Sequence, residues 1–283
     1  MDARDTHASP VRWSDMSWPQ IDALDRERTV LLLPTGAIEQ HGRHLPVDTD
    51  IHDSLELSIR AAAATASTIP AVVLPPVWWG MSPHHMGYPG TISLPLETYS
   101  VLLRDICAAV ARHGFRRVLI VNGHGGNVGI LSATVMRITE ELGLFVGEVS
   151  YWHLIVSQLR DIGTSQIGGM GHACEMETSL QLHLRPELVS MADARTEIGR
   201  PLTPYSTIDF RATGPLMIAL DFRRDSSHGV MGDPTVATAE KGAAIAHAAV
   251  GELVGAIKAF GAVPLDGHEG TPRPAGPATV SDT

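Results

Sequence analysis

Short apolar runs alternate along this chain with longer segments of helical periodicity, and this alternation restricts the fold more than any other feature. The strand-like runs lie at 29–33, 71–74, 118–121 and 144–149, and the helical patterns lie at 50–64, 96–113 and 128–142. Strands that alternate with helices usually pair in parallel, and the helices cover the faces of the resulting sheet. The sequence therefore predicts an α/β fold with three layers, α/β/α, and a mostly parallel central sheet.

The later part of the chain is less regular. Residues 155–171 and 200–234 show little periodicity, and we interpret them as long functional loops. An Ala-rich amphipathic helix is predicted at 235–260, whereas the residues after Pro264 include too many prolines, glycines and polar side chains to pack. We expect one domain over 1–262, followed by a disordered tail over 263–283.

The charge of the chain indicates its kind of partner. The formal net charge is −10 and no cluster of lysine and arginine is present, so we expect a small molecule and not a nucleic acid. The N-terminal residues do not resemble a secretion signal and no long apolar run occurs, so we do not expect membrane insertion. The two cysteines indicate no disulfide framework, and we expect a cytoplasmic protein.

A first group of candidate metal ligands follows the apolar run at 29–33. Glu39 and His41 are two residues apart, so in an extended backbone their side chains point to the same side. Asp50 begins a helical pattern and can turn back toward the end of the strand. Two carboxylates and one imidazole favour zinc or manganese over copper or iron–sulfur chemistry.

A second candidate site is the sequence NGHGGN at 122–127, which follows a strand and precedes a helix. One interpretation is a glycine-rich turn that holds a phosphate at the start of the helix. The glycines do not have the dinucleotide-binding spacing, however. The interpretation that we favour is that the glycines leave room for His124 to approach a metal ion.

A third candidate site is the sequence GHACEMETS at 171–179. On a helix His172 and Glu175 are three residues apart and Glu177 lies on a neighbouring face, so some of these side chains can share a site. The alternative is an ordinary polar first turn, in which the acidic residues interact with the helix dipole.

The segment 75–91 is predicted to form part of the wall of a binding pocket. It carries Trp79, Ser82 and His85 in a stretch too rich in proline and glycine for regular structure. Trp152, which directly follows the run at 144–149, is expected to contribute a second wall. Aromatic residues at such positions also commonly cover the edge of a core.

Five separated sequences occur in one order: PTGAIEQHGRHLPVDTD, SPHHMGYPGT, NGHGGN, HACEMETS and GVMGDPTVATAEKG. With these the chain resembles the creatininase family of metal-dependent amidohydrolases, from about Trp18 to Gly242. The resemblance implies an α/β/α fold, a centre of two zinc or manganese ions per subunit, and a homohexamer. By position in the motifs, the implied ligands are Glu39 and His124 for one ion, His41 and Glu177 for the other, and Asp50 between both. His172 is similar to the acid/base histidine of the family.

Such a centre predicts a hydrolase. Five ligands for two ions leave coordination positions open, as in catalytic sites. Two cations about 3.5 to 4 Å apart lower the pKa of a shared water to roughly 7, and the resulting hydroxide attacks a carbonyl carbon. His172, helped or replaced by Glu175, is expected to donate the proton that lets the amine leave.

The chain departs from the family at two positions that bear on the substrate. The resemblance implies that creatinine-hydrolysing members carry a Tyr-Glu pair where this chain has Gly125 and Gly126. It also implies a tryptophan lid where this chain has Gly168. We therefore expect hydrolysis of another non-peptide C–N bond, in a small cyclic amide that binds beside Gly125 and under Trp79 or Trp152. The alternatives are a formamide deformylase, a peptidase that trims a cofactor precursor, and a non-catalytic nucleotide-binding module.

Overall fold

A parallel sheet of four strands lies at the centre of the computed structural model, which describes residues 10–212 and 214–265. The strands are β1 (Val30–Thr35), β2 (Ala71–Val73), β3 (Arg117–Asn122) and β4 (Phe145–Ser150), and their order is β2-β1-β3-β4. All three pairings are parallel, with Val30 opposite both Ala71 and Arg117. The prediction of a parallel central sheet is confirmed.

Helices surround this sheet. They are α1 (Trp18–Asp22), α2 (Thr49–Thr65), α3 (Leu96–Arg112), α4 (Val128–Leu142), α5 (Tyr151–Leu154), α6 (Val156–Ile162), α7 (Glu175–Leu184), α8 (Phe222–Asp225) and α9 (Ala239–Ala262). A short antiparallel pair, β5 (Met170–His172) and β6 (Met231–Gly232), lies outside the main sheet. Six 3-10 turns complete the described elements, at Trp13–Asp15, Pro83–His85, Gly125–Asn127, Pro186–Leu188, Met191–Asp193 and Pro234–Val236.

The alternation of side chains along β1 produces the three layers. Leu31 and Leu33 pack with residues of α3 and α4 in one apolar cluster, whereas Val30 and Leu32 pack with residues of α2 and α9 in another. Because successive side chains of a strand point to opposite faces, a wholly apolar strand must be covered on both sides. The predicted α/β/α arrangement is therefore observed.

Three differences between the predicted and the observed elements stand out. The first strand continues through Pro34, whose carbonyl oxygen accepts a hydrogen bond from the backbone of Val77 at 2.9 Å. The predicted loop at 155–171 contains α6 and the first two residues of β5. The last helix begins at Ala239 and not at residue 235, because Thr238 caps it by accepting a hydrogen bond from the backbone of Lys241. The tail predicted at 263–283 lies outside the described residues from residue 266 onward.

Helix α9 is long and apolar enough to meet a length-and-composition criterion for crossing a membrane, and it is the one such helix among the described residues. One face of this helix carries the buried residues Ile245, Ala249, Leu253 and Ile257, which pack in the clusters against α2, α7 and the sheet. Core helices of globular domains meet the same criterion, and α9 packs on α2, α7 and the sheet through this one buried face.

Candidate metal centre

The carboxyl ends of β1 and β3 bring together side chains from separate parts of the chain. Glu39 and His41 follow β1, and His124 follows β3. Asp50 lies in the first turn of α2, and Glu177 lies in the first turn of α7. All five side chains are buried. Parallel sheets commonly place their ligands at this edge.

Two glycines allow the start of α2 to lie directly against the ends of the strands. A Cβ atom on Gly36 would lie 2.5 Å from the backbone nitrogen of Ile51, and one on Gly123 would collide with the carbonyl oxygen of Asp50. Glycine alone permits so close an approach of two backbones. The position of Asp50 therefore depends on these two residues.

Asp50 lies between two histidines. Its Oδ2 atom is 2.9 Å from Nδ1 of His124, and its Oδ1 atom is 3.0 Å from Nε2 of His41. Glu39 lies on the side of His124, with Oε2 3.3 Å from the same Nδ1 atom. Glu177 lies on the side of His41, with Oε1 3.8 Å from Nε2. The cluster thus has two halves that share one carboxylate.

Several atoms in this cluster have no hydrogen-bond partner among the described residues. Oε2 of Glu39, Nε2 of His41 and Oδ2 of Asp50 are buried and make no hydrogen bond, although Nε2 of His41 is 3.0 Å from Oδ1 of Asp50 and both of the oxygens lie within 3.3 Å of Nδ1 of His124. Ligand atoms of these three residues lie within 4.8 Å of one another. Buried polar atoms without partners are costly, and nitrogen and oxygen atoms that converge in this way fit a zinc or manganese ion.

The two histidine rings of the cluster carry protons that a bound cation would replace. Burial lowers the pKa of His124, but the carboxylates of Glu39 and Asp50 outweigh burial and raise this pKa to about 10. Burial also lowers the pKa of His41, but the carboxylates of Asp50 and Glu177 outweigh burial and raise this pKa well above its usual value. Without a metal, protons on the two rings balance the acidic groups. Metal binding would therefore release protons.

His172 lies on β5 beside the cluster, in a single orientation. Its Nε2 atom is 2.8 Å from the backbone carbonyl oxygen of Gln40, which can only accept a hydrogen bond, so this contact places the proton on Nε2 and the lone pair on Nδ1, 3.6 Å from Oε1 of Glu39. The side-chain nitrogen of Gln40, 3.0 Å from the same Nε2 atom, is then a contact without a hydrogen bond. Burial and the neighbouring His41 hold the pKa of His172 well below its usual value. The ring is therefore neutral and can accept a proton at Nδ1.

Glu175 does not lie in the cluster, contrary to the expectation that it shares a site with His172. Its carboxylate accepts hydrogen bonds from the backbones of Thr164 and Ser165, both at 2.9 Å, and pairs with the ammonium of Lys241. The helical spacing that grouped Glu175 with His172 does not apply, because His172 lies on β5 and α7 begins only at Glu175. Glu175 instead joins the start of α7 to α9.

Glu177 caps a helix and also faces the cluster. Its Oε2 atom accepts a hydrogen bond from the backbone of Cys174 at 3.1 Å, which caps the start of α7. Its Oε1 atom faces His41. The cap fixes the carboxylate in the orientation that directs the second oxygen into the cluster.

Ser82 and His85 contact the candidate ligands themselves. Oγ of Ser82 is 3.1 Å from Nε2 of His124, on the side of the ring that faces away from Asp50. Nε2 of His85 is 3.3 Å from Oε1 of Glu39. Both side chains are buried. They hold the acid and the imidazole in place, as outer hydrogen-bond partners commonly do in metal sites.

The other three predicted pocket residues have different surroundings. Trp79 is 43% exposed and lines neither of the two cavities described below. Trp152 is buried in the core and lines the larger cavity. Gly125 lines both cavities. The expected cover by Trp79 is therefore not observed in this structure.

The structure adds residues that were not among the predicted site residues. The ring of Phe222 lies 4.0 Å from that of His85 and 4.7 Å from that of His172, but Phe222 comes from a segment without periodicity. The ring of His84 stacks on that of His124 at 5.6 Å. The side chain of Gln40, which lies between two candidate ligands in the sequence, contacts Nδ1 of His85 at 2.9 Å.

A small cavity reaches this cluster, and a larger cavity adjoins it. The metal pocket has a volume of about 120 Å³ and is lined by residues that include Glu39, Asp50, His124, His172 and Glu177. The apolar chamber has a volume of about 690 Å³, and its lining includes Trp152, Val156, Ile208, Phe210, Leu220 and Met231. His84, Gly125, Gly126, Gly171 and Phe222 line both.

An α/β protein with such a cluster at the carboxyl edge of its sheet has the features of a metal-dependent hydrolase. The chain belongs to the creatininase family, whose profile, described as creatinine amidohydrolase, matches residues 14–257. It is thus a hydrolase of the amidohydrolase type, with a site suited to metal ions.

The chain is similar to curated relatives with different substrates. It is 34% identical over 223 residues to the mycofactocin precursor peptide peptidase of Mycolicibacterium smegmatis, covering 75% of this chain and 78% of the relative. It is 28% identical over 262 residues to the creatinine amidohydrolase of Pseudomonas putida, covering 86% of this chain and 95% of the relative. The family therefore includes enzymes named for a peptide and enzymes named for creatinine.

Solved structures agree with the fold. A putative creatinine amidohydrolase from Bacteroides fragilis superimposes with a TM-score of 0.76 at 26% identity, over 92% of this chain and 99% of that chain. A manganese form of creatininase superimposes with a TM-score of 0.72 at 27% identity, over 88% and 98%. A further similar structure is a creatininase mutant of Zn-Zn type. Members of this fold thus bind zinc and manganese.

Proposed function

We propose that this protein hydrolyses an amide C–N bond at a centre of two zinc or manganese ions per subunit. Glu39 and His124 would hold one ion, His41 and Glu177 would hold the other, and Asp50 would be shared. The observation that carries the proposal is the position of Asp50, whose two oxygens face the two histidines at 2.9 and 3.0 Å.

The ions, when bound, would supply Lewis acidity and a water that is nucleophilic at neutral pH. The remaining steps belong to the side chains. His172 accepts a proton at Nδ1 and returns it to the nitrogen of the leaving amine, while the carbonyl oxygen of Gln40 holds its ring. Ser82 and His85 keep His124 and Glu39 from rotating.

Two kinds of amide fit the site. A small cyclic amide, which the sequence favoured, is supported by the small volume of the metal pocket, about 120 Å³. A peptide is favoured by the adjoining apolar chamber and by the similarity to peptidases of precursor peptides. Because Trp79 is exposed and does not cover the site, one reason to prefer a cyclic amide over a peptide is removed.

The non-catalytic nucleotide-binding alternative has less support. A Cβ atom on Gly126 would collide with the rings of His124 and His84, so the space beside this glycine is filled by imidazoles and not open to a phosphate. His124 also points its Nδ1 atom at two carboxylates, which would repel a phosphate.

The function is tested by a substrate screen on the metal-free, zinc-loaded and manganese-loaded protein. The compounds are lactams, hydantoins, formamides and short peptides, and the readout is the release of a free amine or carboxylate. We expect hydrolysis of at least one amide with metal and none after chelation. A fully loaded protein that cleaves none of these classes would contradict the proposal.

The homohexamer and the cytoplasmic location are also proposals, which the family resemblance and the composition support. Analytical ultracentrifugation of the metal-loaded protein tests the first. A sedimentation mass of six subunits is the expected result, and a monomer would contradict it.

A further inference from the structure

We infer that the apolar chamber is a second substrate subsite, which takes an aromatic or branched aliphatic group attached near the scissile amide. The inference rests on the proposed function and names its substrate class. The substrate would be larger than a single small ring, with its polar amide in the metal pocket and its apolar group in the chamber.

The continuity of the two cavities is the first observation. His84, Gly125, Gly126, Gly171 and Phe222 line the metal pocket and the chamber alike. Phe222 touches the ring of His172, which is the proposed proton donor to the leaving amine. A group bonded to the reacting amide can therefore extend from one cavity into the other without leaving the protein.

The lining of the chamber is the second observation. Trp152, Phe210, Ile208 and Leu220 present apolar surface to it. Two acidic groups lie in the lining. Asp209 is already paired with Arg211 at 2.8 Å, and the carboxylate of Asp221 accepts hydrogen bonds from the backbones of Arg223 and Arg224. A volume of about 690 Å³ is within the ordinary range for small-molecule pockets, which is roughly 300–1,000 Å³. Most of these walls favour an apolar group, although the lining also includes the charged side chain of Arg200.

The two adjacent glycines at the junction differ in a way that makes the inference testable. A Cβ atom on Gly126 would collide with His124 and His84, so a side chain there would disturb the cluster. A Cβ atom on Gly125 would meet no atom within 4 Å, and Gly125 lies on the wall of the chamber. A side chain at Gly125 can therefore fill the passage while the ligands keep their positions.

The test compares two hydroxamic acids, because a hydroxamate chelates zinc and does not need turnover. Acetohydroxamic acid has only a methyl group, whereas 3-phenylpropanohydroxamic acid carries a phenyl group that can reach the chamber. Calorimetric titration of the zinc-loaded protein should give at least about tenfold tighter binding for the phenyl compound. This factor is near the lower end of the affinity gain expected when an aromatic side chain is buried. Equal affinities would overturn the inference. A chamber already filled by a second copy of the chain would also give equal affinities.

The variants Gly125→Phe and Gly129→Phe form a matched pair. Both glycines are exposed with open space at Cβ, but Gly129 lies on α4 outside both cavities. Gly125→Phe should bring the two affinities to nearly the same value with zinc content unchanged, and Gly129→Phe should keep the wild-type ratio. An unchanged ratio in Gly125→Phe would overturn the inference.

A second variant protects the test against misfolding. Leu220→Asp places a carboxylate on another part of the chamber wall and should also weaken binding of the phenyl compound selectively. Wild-type preference in this variant would contradict the inference. If neither hydroxamate binds the zinc-loaded wild-type protein, the proposed metal-centred function is contradicted and the subsite with it. Tight binding of both compounds without preference contradicts the subsite alone.

Discussion

The two nitrogen atoms of His172 have separate tasks, and this separation defines the residue. Nε2–H is used by the carbonyl oxygen of Gln40, and Nδ1 faces Glu39 with its lone pair. Burial and the neighbouring His41 keep the ring neutral by lowering its pKa. A neutral imidazole in a fixed orientation is suited to accept one proton and return it within a single reaction.

Replacement of His172 by alanine should therefore reduce turnover without removing the metal. We expect His172→Ala to lower kcat by about 10²- to 10⁴-fold, the usual contribution of a general acid or base. Mass spectrometry of the metal content should give the wild-type value, because the five proposed ligands are unchanged. Loss of metal would instead identify His172 as a ligand. His247→Ala, at an exposed position on α9, is the control.

At the scale of secondary-structure elements, the close contact between α2 and the strand ends sets the position of Asp50. A methyl group at Gly123 would collide with the carbonyl oxygen of Asp50. We expect Gly123→Ala to weaken metal binding in calorimetric titrations and to lower the melting temperature. Gly129→Ala, which meets no atom within 4 Å on α4, should keep the wild-type affinity and stabilise the helix by about 0.5–1 kcal/mol. Unchanged metal affinity in Gly123→Ala would contradict this account of the site.

A second element-scale contact fastens the irregular segment 200–234 to the turn before β5. Arg211 pairs with Asp209 at 2.8 Å and donates to the carbonyl oxygens of Ser165 and Gln166 at 2.9 and 2.7 Å. Oδ2 of Asp209 accepts a hydrogen bond from the backbone of Gly168 at 2.6 Å. Asp209 and neighbouring residues line the apolar chamber, so this ion pair positions one of its walls.

The stability that Asp209 contributes should depend on pH. Burial alone would raise the pKa of Asp209, but Arg211 and the backbone donors hold it below its ordinary value of 3.8. A carboxyl group whose pKa is lower in the folded state stabilises the protein at pH values above its ordinary pKa. This stabilisation is lost as the pH falls through the lowered pKa of the folded state. Asp209→Asn should lower the free energy of unfolding by about 3 kcal/mol at neutral pH, because it leaves a buried charge unpaired.

Urea denaturation of the wild type and of Asp209→Asn checks this prediction between about pH 7 and pH 3. The difference in stability between the two proteins should shrink toward the acidic end. A difference that stays constant over the range would contradict the assignment. Asp105→Asn, at an exposed ion pair on α3, serves as the control for general acid effects.

Elements with a strong local pattern could be predicted from the sequence, and those positioned by distant contacts could not. β1 is buried on both faces of the sheet, which requires an apolar run, and α3 is buried on one face, which requires helical periodicity. Helix α6 was missed because its seven residues bury only Leu159. Phe222 lies beside His85 but belongs to a segment without periodicity, so the sequence could not predict its position. Glu175 lies outside the site because β5 ends before α7 begins, so that His172 and Glu175 are not on one helix.

At the scale of the whole molecule, the metal centre joins α2, α7 and the ends of β1 and β3, so its occupancy should affect global stability. A ligand that binds only the folded state at about 100 times its Kd adds about 2.7 kcal/mol. We expect zinc and manganese to raise the melting temperature of the chelated protein in thermal-shift measurements, and ATP and NAD to leave it unchanged. Stabilisation by nucleotides without stabilisation by metal would support the nucleotide-binding alternative.

The central claim is that the shared carboxylate of Asp50 organises a centre of two cations. The most direct test is the metal content per subunit, measured by mass spectrometry after dialysis, for the wild type and for Asp50→Ala. We predict about two equivalents of zinc plus manganese in the wild type and almost none in a folded Asp50→Ala protein. A wild type that binds no divalent metal, or an Asp50→Ala protein that keeps both ions, would contradict the account.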